Sequence, residues 1–429
     1  FRPGPVKSDM ITPFLKARHG WSPAQIIHPD LYEILAHTEG VVVFHEQVIQ
    51  IIATMTGVSL ATADEKRRSL GDRAGQQEVC DWFFPAATAK GYELPIIQEI
   101  WDVLRAFASF GFCKAHAAAF ALPTYQSAWL KTHYPAAFLA GVLTHDPGMY
   151  PKRLIVDEAR QMGITIAPID VNASDAVYRV EDHGNAIRIA LSTVSGISDA
   201  EVQSIIAGRP YIDLNDFVRR SGCSTPVTES LILTGGFDSL HADVNRRDLL
   251  LHFSDLQKSP SAAVSGAQMN LGFEPPALIS SGLPAMTASE SVKHEIDRLG
   301  IDMSRHMIEF YGEFLNAIGA VRSSDLLKQR SQSSVLVAGI KVAMQTPPVR
   351  SGKRVIFLTL DDGYGCSDST FFTDVQSEYA NVLYSTSLLL VRGVTRRTGA
   401  RGISIRATGA WDLRAAYESW SAKQSTLAI

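Results

Sequence analysis

The residues best equipped for chemistry lie in two short cationic stretches. In ADEKRRSLG, Arg67 and Arg68 are adjacent, and in FGFCKAHAAAF, Lys114 and His116 open an alanine-rich run. Guanidinium groups stay charged and donate in a planar fork, which suits a phosphorylated ligand. Neighbours on a helix splay by about 100°, so Arg67 and Arg68 reach one polyanion only if it straddles the helix edge, as a triphosphate can. The plainer reading is a solvated arginine pair balanced by Asp64 and Glu65. Lys114 and His116 stand at the start of a helix, where free backbone amides already favour anions. A lone histidine on an apolar face is, by contrast, ordinarily a satisfied core residue. His45, followed by Glu46 and Gln47, has the same two readings, and no second histidine follows at the HExxH spacing.

Three further stretches could bind. VRGVTRRTGARGISIRATG carries Arg392, Arg396, Arg397, Arg401 and Arg406 with no acid between Glu378 and Asp412, which is either a basic binding face or solvated arginines on a strand pair. The turn from Gly196 to Ser198 in VSGISDAEVQSII is like half of a helix-hairpin-helix, whose turn amides bind a phosphate oxygen without reading the base. Asp199 just beyond it works against that by repelling phosphate. Gln268, Met269, Leu271 and Phe273 in QMNLGF are like the glutamine-led peptides that dock on sliding clamps. Cys80, Cys113, Cys223 and Cys366 lie far apart with no CxxC or CxxH spacing, so neither a disulfide framework nor a bound metal is expected, and a reducing cytoplasm is the natural setting.

The elements that must position these residues are legible from periodicity. A chain of 429 residues exceeds one hydrophobic core and predicts two to four domains. No apolar run reaches the roughly 18 residues of a membrane span, and a net charge of −4 argues against a protein coated in positive charge. The opening FRPGP, without Met, reads as the middle of a longer polypeptide. VFHEQVIQIIATMTG and PIIQEIWDVLRAFASFGF have helical spacing, and between them Thr62 or Asp64 would start a helix ending near Gly71. Around Pro168 short β-like runs appear, followed by helices in SDAEVQSIIAG, LNDFVRR and TPVTESLIL. Residues 256–290 have linker composition. Beyond 333, SSVLVAGIKVA, RVIFLTLDD, DSTFFTDV, TSLLLVRGVT and GISIRATGAW predict five strands, with a helical segment near SEYANVLY, as in an OB barrel.

Taken in order, FRPGPVKSDM, ADEKRRSLG, FGFCKAHAAAFALPTYQSAWLKTHYPAAFLAGVLT, GITIAPIDVN, GISDAEVQSII with LILTGGFD, and VLVAGIKVAMQTPPVRSGKRVIFLTLDD resemble the bacterial C-family DNA polymerases, the DNA polymerase III alpha-subunit family. THDPGMYPKRLIVDEARQMGI looks like the error-prone, translesion type, often called ImuC. The resemblance implies a multidomain fold, with mainly α fingers over 1–145, a tandem helix-hairpin-helix over 146–255, a linker with connecting helices over 256–332, and an all-β OB-fold domain over 333–429. It implies that Arg67, Arg68, Lys114 and His116 face an incoming nucleotide, with Lys131 and His133 at the rim. Gly196, Ser198 and the barrel arginines Arg392, Arg396, Arg397 and Arg401 are implied to contact DNA. Catalytic aspartates holding Mg²⁺ would lie upstream of RPGP, so the chain alone is expected to be inactive and to bind no cofactor, and neither Asp361 nor Asp362 would replace them. Implied partners are primer-template DNA, deoxynucleoside triphosphates, an ImuB-like Y-family homologue and the sliding clamp. The rival expectation is a non-catalytic docking platform, or the same region of a replicative alpha subunit. Asp72 stands where the replicative pattern has a lysine.

Overall fold

The computed structural model describes residues 10–107, 112–146, 148, 150–258, 278–347, 354–400 and 402–427. The chain divides into two compact units, residues 1–128 and 129–429.

In the first unit the helices are α1 (Ile11–Arg18), α2 (Tyr32–Leu35), α3 (His45–Thr56), α4 (Leu60–Ser69), α5 (Arg73–Ala89), α6 (Leu94–Phe107) and the start of α7 (Lys114–His133). Val48, Ile51, Ile52 and Met55 of α3 project at helical spacing into a core completed by Val79 and Phe83 of α5 and by Ile97, Ile100 and Leu104 of α6. The start of α4 lies earlier than Thr62 or Asp64: Ser59 is its cap and accepts the Thr62 amide at 3.2 Å. That leaves Asp64 inside the helix, free to face the arginines one turn on. Asp72 caps α5, accepting the Gly75 amide at 2.8 Å. A side chain at position 75 would strike the Ser69 carbonyl, so glycine there lets α4 end directly against α5.

The second unit continues with α8 (Pro135–His145) and α9 (Lys152–Gln161), then a small sheet of β1 (Thr165–Ala167), β2 (Arg179–Glu181) and β3 (Ala186–Arg188). Its order is β1-β3-β2, with β1 parallel and β2 antiparallel to β3. Helices α10 (Asp199–Ala207), α11 (Leu214–Ser221), α12 (Thr225–Leu233) and α13 (Arg246–Lys258) follow, packed about Tyr211, Phe217 and Phe237, whose rings meet edge-on at 4.9 Å. After α14 (Ala288–Leu299) and α15 (Gly312–Ala317) comes a closed barrel of β4 (Ser334–Gln345), β5 (Ile356–Asp361), β6 (Cys366–Phe371), β7 (Leu388–Arg397) and β8 (Ile403–Asp412). Its order, β4-β5-β6-β8-β7, is that of an OB-fold. Alternation fills the interior with Val335, Val337, Leu358, Leu360, Phe371, Val391 and Ile405. Gly393, at a bulge between β7 and β8, admits the Arg406 carbonyl where a side chain would block it. Helix α16 (Thr373–Ser385) contains the SEYANVLY segment and joins β6 to β7, and α17 (Leu413–Leu427) follows β8. Among the described residues no helix is long and apolar enough to cross a membrane.

Candidate functional site

The first turn of α3 organises the cationic residues of the first unit. Ahead of it the backbone is extended at Phe44, which forms a parallel bridge with Phe112, and the His45 amide donates to the Phe112 carbonyl at 2.9 Å. This pairing lays the entry to α7 beside the entry to α3. Gln47, 1% exposed, fixes the turn: its carbonyl accepts the Val43 and Phe44 amides at 2.8 and 3.0 Å, and its amide donates to Ile34 O and Thr38 Oγ1 at 3.0 and 2.7 Å.

Glu46 then reaches across to α7. Its carboxylate accepts the Lys114 amide at 2.8 Å, the Ala115 amide at 3.0 Å and the Cys113 thiol at 3.4 Å. The helix start expected to attract an anion thus receives one from its own chain. Partial burial opposes the charge, yet these N–H groups bring the Glu46 carboxyl down to about 2. Its pKa is depressed on folding, so its contribution is complete above the ordinary 4.5 and fades as pH falls toward about 2. Glu46→Gln should therefore destabilise the chain by about 1 kcal/mol near neutrality, discounted for solvent screening. In urea titrations the gap from the wild type should stay constant down to about pH 5 and narrow below about 4.5.

The Lys114 ammonium lies 3.5 Å from His37 Nε2 and 5.7 Å from the Phe44 ring centre. His116 is exposed between Phe112 and Phe120, with ring centres 5.9 and 4.6 Å away. It is not a core histidine. On the other side of the α3 start, Asp64 binds Arg67 Nε through Oδ1 at 2.9 Å and Arg68 Nη2 through Oδ2 at 2.7 Å. One carboxylate therefore gathers two guanidiniums that helix geometry would splay. Arg67 is 20% exposed and Arg68 73%. Burial lowers the pKa of His45, and the Arg67 charge lowers it further, so Arg67 lies within electrostatic reach of the α3 N-terminus. Lys114 is thus tied to the start of α3 by its backbone amide through Glu46, and the Arg67 charge is felt at His45 in the same turn. Lys131, in the second unit, pairs with Glu158 at 2.6 Å, and His133 packs on Trp129 at 4.6 Å.

At the helix-hairpin-helix, Gly196 has φ +80° with open space around it, as a tight turn requires. The Ser198 amide and hydroxyl, however, donate to Glu201 Oε2 at 2.9 and 2.8 Å, and the Ser224 amide and hydroxyl to Oε1 at 3.0 and 2.7 Å. One carboxylate caps the starts of both α10 and α12, and the Ser224 and Ser198 amides hold it down to about 2.

On the barrel, Arg392, Val394 and Arg396 share the outward face of β7, beside Ser404, Arg406 and Thr408 of β8. Arg396 and Arg406 line a groove with Thr370 and Phe372, and a neighbouring hollow adds Phe357. Arg406 lies 5.4 Å over Phe372, and Arg392 5.4 Å over Trp411. Arg397 has the opposite register and donates to the Leu327 carbonyl. Arg401 and the QMNLGF residues Gln268, Leu271 and Phe273 lie outside the described residues. Sequence reading missed Phe357 and Phe372; their signal was an aromatic residue at an outward position of an alternating strand or at its end. It named Glu46 and Gln47 only as neighbours of His45; the Glu46 bond to α7 spans 68 positions and leaves no local pattern.

A helical first unit, a helix-hairpin-helix and a basic, aromatic OB barrel together define a multidomain protein. Residues 1–91 match the bacterial DNA polymerase III alpha subunit finger domain, and residues 163–249 match a helix-hairpin-helix motif. An error-prone DNA polymerase of Symbiobacterium thermophilum is 33% identical over 94% of this chain and 42% of its own length. A DNA polymerase III subunit alpha of Pasteurella multocida is 32% identical over 92% of this chain and 36% of its own length. The error-prone DNA polymerase of Bdellovibrio bacteriovorus is 29% identical over 93% of this chain and 39% of its own length. A solved structure, OBody AM1L10 bound to hen egg-white lysozyme, is matched over 19% of this chain and 80% of that one at 18% identity and a TM-score of 0.16, too slight a likeness to carry an argument. Over almost its whole length the chain is similar to bacterial DNA polymerase III alpha subunits and their error-prone relatives. It spans about two fifths of the length of these relatives.

Proposed function

We propose that this chain is the nucleotide- and template-gripping part of an error-prone DNA-directed DNA polymerase acting in lesion bypass and damage-induced mutagenesis. What supports the reading is the match of residues 1–91 to a polymerase finger domain, which holds the Arg67 and Arg68 pair gathered by Asp64, together with the pairing of the entry to α7, bearing Lys114 and His116, with the start of α3. Arg67, Arg68, Lys114 and His116 would hold the triphosphate of a deoxynucleotide, the arginines as bidentate donors and Lys114 as a point charge.

Catalytic Mg²⁺ ions have no fitting ligands among these residues. Glu46 is committed to two amides and Asp64 to two arginines. Nucleotidyl transfer therefore needs carboxylates from elsewhere in the polymerase, and this chain alone supplies binding and orientation.

Primer-template DNA would pass the helix-hairpin-helix near Gly196 and Ser198, and its single-stranded template would cross the barrel at Arg392, Arg396 and Arg406. Aromatic rings beside cations are what sequence-tolerant single-strand binding uses. Within this reading Arg397, turned to the Leu327 carbonyl, is peripheral, and a reducing cytoplasm suits four free thiols. A docking role for an ImuB-like protein or a sliding clamp is the second reading. It is favoured by α7, where Phe120, Leu122 and Tyr125 are exposed by 59%, 62% and 70%.

The two readings separate by salt. If the barrel grips single strands, Arg396→Ala with Arg406→Ala should flatten the dependence of log affinity on log salt by about 1.4, two phosphates at about 0.7 each. Oligonucleotide binding to the full chain between low and moderate salt measures this. An unchanged slope and affinity, with loss of a protein partner, would make the barrel a docking module.

A further inference from the structure

Four ionisable side chains outside the proposed nucleotide site meet inside the second unit. Asp157 comes from α9, Asp302 and His306 from the segment after α14, and Asp361 from the end of β5. They are 1%, 0%, 2% and 1% exposed. Both outer carboxylates have one oxygen held by protein: Asp157 Oδ1 accepts Arg160 Nη1 at 2.6 Å, and Asp361 Oδ1 accepts the Gly363 amide at 3.0 Å. Arg160 is itself oriented by the Asp302 and Met303 carbonyls at 2.5 and 2.8 Å. What remains turned inward, with no hydrogen-bond partner, is Asp157 Oδ2, both oxygens of Asp302, Asp361 Oδ2 and His306 Nε2. Buried polar atoms without partners are costly, and here those of Asp157, Asp302 and His306 cluster, with Asp361 Oδ2 3.5 Å from His306 Nε2.

We propose that Asp157, Asp302, His306 and Asp361 bind one divalent transition-metal cation of the zinc class. Donor atoms of Asp157, Asp302 and His306 all lie within 4.8 Å of one another. His306 Nε2 is 3.7 Å from Asp157 Oδ2 and 3.5 Å from Asp361 Oδ2. A tetrahedral ion with bonds of about 2.0–2.2 Å sets its ligand atoms about 3.3–3.6 Å apart; the two His306 separations are close to that, and the other side chains must draw in toward the ion. One imidazole and three carboxylates suit a borderline ion. Charge also closes, since three carboxylates balance a dication and the Arg160 guanidinium. The outer oxygens held by Arg160 and Gly363 are the supporting bonds that a metal ligand needs. Coordination at Nε2 shifts the ring proton of His306 to Nδ1, releasing a long 3.2 Å bond from the Ile308 amide. Burial otherwise raises the Asp157 carboxyl, and protons are the alternative occupants of this cluster.

The bound ion would pin α9 and the post-α14 segment to the barrel. Sequence spacing could not reveal the site, because its ligands stand at positions 157, 302, 306 and 361. The test uses the full chain, stripped with chelator, its thiols alkylated, and dialysed against Zn²⁺. The expected result is one zinc per chain, a higher Tm that chelator reverses, and four-coordinate visible bands when Co²⁺ replaces Zn²⁺. Asp302→Asn should weaken zinc by more than the roughly 10- to 100-fold typical of losing an outer partner. Absence of zinc uptake in the wild type overturns the proposal whatever the variant does. So does full zinc retention in Asp302→Asn, which would place the ion elsewhere. A variant that gains stability without metal, in a protein taking up no zinc, would mark a cluster occupied by protons only.

Discussion

Replacing Gln47 with leucine is expected to destabilise residues 1–128 by about 2–4 kcal/mol, because a buried donor or acceptor left without its partner costs about 1–3 kcal/mol. Leucine is close to glutamine in volume, so packing changes little and the effect isolates the polar contacts. All four hydrogen-bonding positions of the Gln47 amide are used, two accepting and two donating. With leucine there, the Val43 and Phe44 amides and the Ile34 carbonyl lose their partner. Water reaches them only if the turn opens. That turn carries His45 and Glu46, so the entry to α7 would loosen with it. Urea unfolding of the full chain, followed by tryptophan fluorescence from Trp82 and Trp101, should show the earlier transition moving to lower denaturant. The barrel, in the other unit, should unfold as in the wild type. A midpoint unchanged by Gln47→Leu would mean that the turn is held by its apolar neighbours and that the amide is incidental.

The contrast between what was legible and what was not follows from the range of the interactions. Alternation in SSVLVAGIKVA and TSLLLVRGVT announced barrel strands, because inward positions repeat every second residue. Gly196 announced a turn, because positive φ is a local demand. The Ser59 cap was equally local, but Thr62 and Asp64 competed for the same role in the pattern and only packing decided between them. Asp64 looked like a counter-charge and proved to be the residue that draws Arg67 and Arg68 together. Glu46 could not be linked to Lys114 from the sequence, since the contact spans 68 positions and depends on the Phe44 and Phe112 pairing. Glu201 shows the same limit. It reads as an ordinary capping-box acid for Ser198, yet its second oxygen serves Ser224 on the next hairpin.

Exposure divides the roles of the two arginines, and their variants should differ accordingly. Arg68 is 73% exposed and, among the described residues, pairs with Asp64. Arg68→Ala should leave stability within about 0.5 kcal/mol of the wild type, as surface changes do. It should nevertheless weaken a deoxynucleoside triphosphate by about 10- to 100-fold, the loss of one charge-assisted hydrogen bond of about 1.5–3 kcal/mol. Arg67, 20% exposed and paired with Asp64, lowers the His45 pKa by its charge. Arg67→Ala should weaken the nucleotide comparably and also raise the His45 pKa, because a cation that disfavours the imidazolium is gone. Arg68→Ala should leave that titration alone. Calorimetric titration of the full chain with nucleotide, paired with an NMR titration of His45, reads both quantities. If the two variants bind as the wild type does, neither arginine touches the triphosphate. If His45 moves in the Arg67 variant while binding does not, the arginine supports the helix start and the ligand lies elsewhere.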